Sequence, residues 1–114
     1  MPEQGEILLI PVPFSDLSSQ KRRPVVVISN NAYNDSHPDV VVVALTSNPA
    51  SVDYSFTIDS LDLEKGSLRR TSRIRVDKIY TLSQSIVSGR FGKVKQVIQM
   101  RIRKNLQDLM AKRP

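Results

Sequence analysis

The chain has 114 residues, a net charge of +6 and no cysteine. This length fits one domain with a single modest core, and the absence of cysteine excludes disulfides, thiolate zinc sites and cysteine nucleophiles. The N-terminus is acidic where a signal peptide is basic, and the apolar stretch at residues 7–12 is too short to span a bilayer. We therefore expect one domain over residues 1–114, located in the cytoplasm and not bound to a membrane.

Charge is divided unevenly along the chain. Residues 1–64 carry three basic and nine acidic side chains, which gives −6, whereas residues 65–114 carry fourteen basic and two acidic ones, which gives +12. Such an imbalance favours a polyanionic partner, above all nucleic acid, although a solubilising surface is the alternative. With three Phe, three Tyr and no Trp, a broad base-stacking platform is not expected.

Short β-type segments come first, and one helix closes the chain. The predicted strands are residues 5–12, 24–29, 40–45, 54–58, 72–82 and 89–94. A polar loop is expected at residues 14–22, a turn-rich segment at 30–39 and a charged loop at 61–70. The dense β-branched runs at 24–29 and 40–45 are typical of strands that are buried on both faces or closed into a barrel.

From about residue 95 the apolar period changes from two to 3.6. One face of the predicted helix carries Ile98, Ile102, Leu106, Leu109 and Met110. Short strands followed by one helix predict a mainly β fold, in which the C-terminal α-helix packs across a compact antiparallel barrel.

Arg73, Arg75 and Asp77 are spaced by two on a predicted strand, so their side chains should project from one face, with Ile74 and Val76 pointing into the core. Arginines bind a phosphate bidentately and stabilise the charge of a pentavalent transition state. Asp77 is a candidate base for a ribose 2′-hydroxyl. Burial would raise its pKa and the arginines would lower it, and the sequence leaves this balance open. An exposed cross-strand ion pair is the alternative.

Two further segments offer polar groups to a phosphate. Lys21, Arg22 and Arg23 lead into the second strand, where they suit either a phosphate clamp or a charged edge that opposes aggregation. Thr46 and Ser47 end the third strand, where hydroxyls bind a phosphate oxygen or cap a local turn.

Other catalytic arrangements are not supported. His37 is the single histidine, which excludes a histidine-pair ribonuclease within one chain. Asp35, His37 and Asp39 do not form a regular metal-binding loop, and the sequence contains neither a glycine-rich phosphate loop nor a Gly-x-Ser-x-Gly elbow. We expect no metal and no other cofactor.

Five segments form a recognisable series in chain order. They are the opening Gly5-Glu-Ile-Leu-Leu-Ile-Pro-Val-Pro-Phe, the run Arg23-Pro-Val-Val-Val-Ile-Ser, the strand that ends in Thr46-Ser, the run Ser72-Arg-Ile-Arg-Val-Asp-Lys-Ile-Tyr-Thr-Leu, and Gly89-Arg-Phe-Gly-Lys-Val. Together they resemble the MazF/PemK family of toxins, which are ribosome-independent RNA endonucleases. The resemblance covers nearly the whole chain.

The resemblance implies an SH3-like antiparallel β-barrel with a C-terminal α-helix, assembled as a homodimer with RNA lying across the interface. It implies cleavage of single-stranded RNA by attack of the 2′-hydroxyl, leaving a cyclic phosphate and a 5′-hydroxyl. By position, Arg23 matches the catalytic arginine, Thr46 matches the threonine that assists at the phosphate, and Arg75 and Asp77 match the PemK-type acid and base. Because the pKa of arginine exceeds about 12, we expect Arg23 and Arg75 to stabilise charge instead. The residues expected to bind RNA are Lys21, Arg22, Ser47, Arg73 and Lys78.

The chain also departs from the family pattern. Tyr80 occupies the place of an arginine, and the first loop lacks a histidine found in some PemK-type members. The resemblance implies a small acidic antitoxin as partner, with promoter DNA as a ligand of the toxin–antitoxin complex. Two alternatives stay open. One is a gyrase-inhibiting toxin of the same fold, which relies on an aromatic C-terminal end where this chain reads Ala-Lys-Arg-Pro. The other is a non-catalytic nucleic-acid-binding barrel.

Overall fold

The computed structural model describes residues 1–13 and 20–114, and the side chains of residues 1–11 and 22–114. Its strands are β1 (Glu6–Pro13), β2 (Gln20–Val27), β3 (Asp39–Thr46), β4 (Ser55–Ile58), β5 (Leu63–Gly66), β6 (Ser72–Ser83) and β7 (Gly89–Val94). Its helices are α1 (Asn31–Ser36) and α2 (Gln96–Met110), with single 3-10 turns at Ser60–Asp62 and Gln84–Ile86.

The seven described strands form one antiparallel sheet in the order β4-β6-β3-β2-β1-β7-β5. Although β4 and β5 lie at opposite edges, Phe56 of β4 and Leu63 of β5 belong to the same buried cluster as Ile98 and Ile102 of α2. The sheet therefore curls around a shared core that α2 covers. The predicted mainly β fold with a C-terminal helix is confirmed.

The central strands are buried on both faces, as their β-branched runs predict. Val43 and Leu45 face the core beneath α2, whereas Val40 and Val42 pack with Val25 in a second cluster on the opposite face. All five side chains are at most 3% exposed. Burial of each such side chain stabilises the fold by about 1.5–3 kcal/mol. The middle of the sheet is therefore a rigid support for the side chains at its surface.

The helix α2 buries part of the predicted apolar face, and Met110 at its end is 76% exposed. Ile98 and Ile102 are buried, and Leu106 packs against the same core. No helix in the described ranges has the length and apolar character needed to cross a bilayer.

Three segments differ from the sequence-based expectation. The turn-rich segment 30–39 contains α1, because the Asn30 side chain caps it by accepting a bond from the Tyr33 N–H at 2.8 Å. The charged loop 61–70 contains β5, which pairs with β7. The expected loop 14–22 is a strand from Gln20 onward, since β2 continues its pairing with β1 through Arg22, and residues 14–19 lie outside the described part.

Candidate active site

A cavity of about 390 Å³ opens on the face of the sheet opposite α2. Its polar lining side chains are Arg23, Thr46, Asn48, Arg75 and Lys78. Three of these are cations and one is a hydroxyl, so this part of the cavity suits an anion with several acceptor oxygens.

Strand order explains why residues far apart in sequence meet here. The strand β3 lies between β2 and β6. Arg23 comes from β2, Thr46 ends β3, and Arg75 of β6 stands opposite Ala44 of β3. Side chains at such positions share one face of the sheet. Of the four predicted catalytic residues, the structure brings Arg23, Thr46 and Arg75 together at the cavity, whereas Asp77 is hydrogen-bonded to Arg75 and is not among the described residues that line it.

A bulge in β6 brings further residues to this face. Ala44 pairs with Arg75, but Val43 pairs with Ile79, so residues 76–78 are extra on the β6 side. An insertion of this kind changes which side chains share a face. As a result Lys78 and Tyr80 line the same cavity as Arg75.

The predicted alternation of β6 holds as far as Val76. Ile74 and Val76 are completely buried, as expected. Asp77 lies within the bulge, and the lining defined by the described residues includes Arg75 but not Asp77. Asp77 instead binds the Arg75 guanidinium through two parallel hydrogen bonds, with Nε to Oδ1 and Nη2 to Oδ2 both at 2.8 Å.

The structure indicates which of the two opposing effects on the Asp77 pKa is larger. Hydrogen bonds from Arg75 lower the pKa of Asp77, and burial opposes them without prevailing. The same bonds raise the pKa of Arg75. Asp77 is therefore ionised at neutral pH in the free protein and holds the Arg75 fork in place.

Stability should report this ion pair through its pH dependence. The side chains of Arg75 and Asp77 are 24% and 29% exposed, so we expect Asp77→Asn to cost less than about 1 kcal/mol at pH 7. Because folding lowers the pKa of Asp77, the contribution exists above the unfolded value of about 3.9 and disappears as the pH falls through the folded value. Urea unfolding of both proteins at about pH 7 and at about pH 2 measures the difference.

Asp108→Asn is the matched control for this measurement. Asp108 pairs with Lys104 at 3.0 Å on the exposed face of α2, where such i,i+4 pairs contribute only about 0.3–0.5 kcal/mol. An Asp77→Asn difference that grew on acidification would contradict the assigned direction of the pKa shift.

Thr46 fills one of the two roles that its position allows, the cap of a local turn. Its Oγ1 accepts a hydrogen bond from the Asn48 N–H at 3.1 Å, which closes a local turn at the end of β3. A hydroxyl donates as well as accepts, so this turn fixes the oxygen while leaving its proton to be donated into the cavity.

The residues predicted to bind RNA do not all lie at the cavity. Among the described side chains Lys78 lines the cavity, whereas Arg22, Ser47 and Arg73 do not. The Nη1 group of Arg73 donates to Ser55 Oγ at 3.0 Å, and its buried Nε has no acceptor among the described residues. The side chain of Lys21 lies outside the described ones.

Sequence reasoning gave no site role to Tyr80 or Asn48, both of which line the cavity. Asn48 had a weak signal in its position directly after Thr46-Ser47. Tyr80 had one in the family pattern, where it occupies the place of an arginine, but strand alternation gave none, because its placement depends on the bulge. Among the described residues, no group of three or more His, Cys, Asp or Glu side chains is placed to hold a metal ion, and His37 stacks on Tyr33 outside the cavity lining with ring centroids 4.1 Å apart.

Solved structures with the same fold are numerous. An endoribonuclease from a mycobacterial species superposes with a TM-score of 0.76 at 23% sequence identity, covering 99% of this chain and 95% of that one. A mycobacterial endoribonuclease in complex with its cognate antitoxin gives a TM-score of 0.73 at 23% identity, with 100% of both chains covered. A MazE–MazF structure from Deinococcus radiodurans gives 0.77 at 19% identity, covering 96% and 95%. At these identities the similarity establishes the fold.

Sequence comparison establishes the family. No curated protein sequence matches the chain significantly. A family model for the PemK-like, MazF-like toxins of type II toxin–antitoxin systems matches residues 3–110. Because this match spans nearly the whole chain, the protein belongs to the PemK-like, MazF-like family of type II toxins.

Proposed function

We propose that this toxin is a metal-independent endoribonuclease that cleaves single-stranded RNA at a phosphate bound in the cavity. The observation that carries the proposal is the convergence of Arg23, Arg75, Lys78 and the Thr46 hydroxyl on one cavity. Guanidinium groups recognise phosphate oxygens bidentately, and fixed donors aimed at a developing charge are a large source of rate acceleration.

The proposed reaction is an internal transfer. The ribose 2′-oxygen forms a bond to phosphorus while the bond from phosphorus to the 5′-oxygen breaks. One proton leaves the 2′-hydroxyl and one reaches the departing 5′-oxygen. The products are a 2′,3′-cyclic phosphate and a free 5′-hydroxyl, and the balance requires no other reactant.

Arg23, Arg75, Thr46 and Asp77 take different roles in this proposal. Arg23 and Arg75 stabilise the charge on the equatorial oxygens, because guanidinium groups stay protonated at every relevant pH. Thr46 donates its hydroxyl proton to one of these oxygens. Asp77 orients Arg75 through their paired hydrogen bonds, so it is a positioning residue in the free protein.

The proposed partners follow from the same surface and from the relatives. Mycobacterial and Deinococcus relatives are solved in complex with their antitoxins. The cationic side chains of the cavity, Arg23, Arg75 and Lys78, would attract an acidic antitoxin segment as well as RNA. We propose that the toxin works in the cytoplasm as a homodimer, and that its antitoxin complex contacts promoter DNA.

Incubation of the purified protein with a long single-stranded transcript in excess EDTA tests the proposal. We expect discrete fragments whose 3′ ends carry cyclic phosphates, detected by end-specific ligation or mass spectrometry. The same transcript with 2′-O-methyl riboses is the matched control substrate and should stay intact, since it has no 2′-hydroxyl to attack. Sequencing the cleaved ends would also identify the bases that are recognised.

Three results would contradict the proposal. Intact RNA together with tight, salt-sensitive binding would indicate a binding module without catalysis. Intact RNA together with inhibition of DNA gyrase would indicate the gyrase-inhibiting alternative. Cleavage that stopped in EDTA would refute the metal-independent mechanism.

A further inference from the structure

We propose that the apolar side chains of the same cavity bind a nucleobase next to the cleaved phosphate, and that Tyr80 is the side chain on which this base stacks. The inference rests on the proposed function, which makes the occupant a nucleotide. It adds the residue that would set base preference.

The cavity lining combines two kinds of side chain. Arg23, Arg75 and Lys78 are cations. Ile10, Val25, Leu82 and Ile86 are apolar, and the Tyr80 ring joins them. The two kinds lie side by side, since Ile10 of β1 pairs with Arg23 of β2. An anionic group joined to a flat apolar group matches such a lining, and a nucleotide is such a ligand. A free phosphate would leave the apolar side chains unused.

The Tyr80 residue is exposed, but its backbone is held in the sheet. It pairs with Val42 of β3 in the middle of the sheet, and Val42 is completely buried. Tyr80 itself is 43% exposed, and Ile86, which also lines the cavity, is 36% exposed. A rigid backbone with an exposed ring is the arrangement that base stacking needs.

The other described aromatic side chains do not offer this surface. Of the aromatic residues in the described ranges, only Tyr80 lines the cavity. Tyr33 is stacked on His37, and Phe56 is buried beneath the Arg101 guanidinium, which lies 4.2 Å from the ring centroid. A base bound beside the cationic side chains of the cavity would therefore stack on Tyr80.

Binding of uncleavable oligonucleotides tests the inference separately from catalysis. The probes are a pool of randomised 2′-O-methyl decanucleotides and a decamer with the same backbone charge but no bases. We expect the wild type to bind the pool about tenfold or more tightly than the abasic decamer. Tyr80→Ala should remove this preference by weakening the pool alone. Tyr80→Phe, which keeps the ring, should retain it.

Tyr33→Ala is the matched control, since it removes a tyrosine ring outside the cavity lining and should leave both affinities unchanged. Thermal unfolding of each variant checks that the fold is intact. Equal binding of the two probes by the wild type, or an equal loss for both probes in Tyr80→Ala, would overturn the inference. So would a Tyr80→Ala variant that binds both probes normally and loses affinity only for an acidic antitoxin peptide.

The proposed function can fail independently of this result. If the wild type cleaves RNA but Tyr80→Ala keeps its preference for the pool, the stacking inference fails and the ribonuclease stands. If the wild type does not cleave RNA but its binding depends on the Tyr80 ring, the nucleobase site stands and the ribonuclease function fails.

Discussion

Arg23→Ala is expected to lower the cleavage rate by at least about a hundredfold, because it removes a fixed guanidinium from the charge that develops on the phosphate. Arg23 is an exposed residue that lines the cavity from β2. Its replacement should therefore change the free energy of unfolding by no more than about 1 kcal/mol. Initial rates on a labelled RNA under saturating and limiting substrate, together with urea unfolding, separate the two effects.

Two variants sharpen this prediction. Arg23→Lys retains the charge but loses the planar fork, so its rate should lie between those of the wild type and Arg23→Ala. Arg69→Ala is the matched control, because Arg69 is an exposed arginine outside the cavity lining and its loss lowers the net charge by the same amount. Normal cleavage by Arg23→Ala would show that Arg23 has no catalytic role.

Gly66→Ala is expected to destabilise the fold by about 2–5 kcal/mol, combining left-handed strain with overpacking. Gly66 ends β5 with φ +84°, and an added Cβ would meet the Phe91 carbonyl oxygen and lie 2.9 Å from the Gly92 Cα. Both obstructing groups are backbone atoms of β7, the strand with which β5 pairs. Relief would require the two strands to separate.

Gly5→Ala provides a matched comparison for this position. Gly5 has nearly the same φ, +88°, but its added Cβ would meet only the amide end of the Gln99 side chain, which can move away. We expect a cost of about 1–2 kcal/mol there, from backbone strain alone. Chemical denaturation of both variants measures the difference. An equal or smaller loss for Gly66→Ala would mean that β5 and β7 are not held as closely as the structure shows.

The cavity was predictable in its components but not in its assembly. Arg23, Thr46 and Arg75 were identified from residue type, from spacing and from the family pattern. Their convergence depends on β3 lying between β2 and β6. No local pattern contains that order, because it is set by pairings between segments that are distant in the chain.

The bulge in β6 is a second feature that local sequence patterns do not predict, and it affects single residues. Strict alternation places Arg75 and Asp77 on one face, and the structure does join these two side chains by hydrogen bonds. It also brings Lys78 and Tyr80 into the cavity of Arg75, which alternation does not predict. Residues 76–78 carry no sequence signature of an insertion. The bulge lies where β6, paired with both β3 and β4 up to Arg75, continues along β3 alone. The Asp77 pKa was open for a related reason, because it depends on the distance to one guanidinium.

What the sequence by itself determined is what depends on periodicity and composition. The β-branched runs of β2 and β3, the alternation in β4 and the 3.6-residue period of α2 each encode a buried face, which the chain can satisfy only by forming that element. What only the tertiary structure decided depends on a partner strand. The charged strand β5 exists because β7 supplies its hydrogen bonds, and the residues that share the cavity follow from strand register, in which a shift of one position exchanges the two faces of a strand.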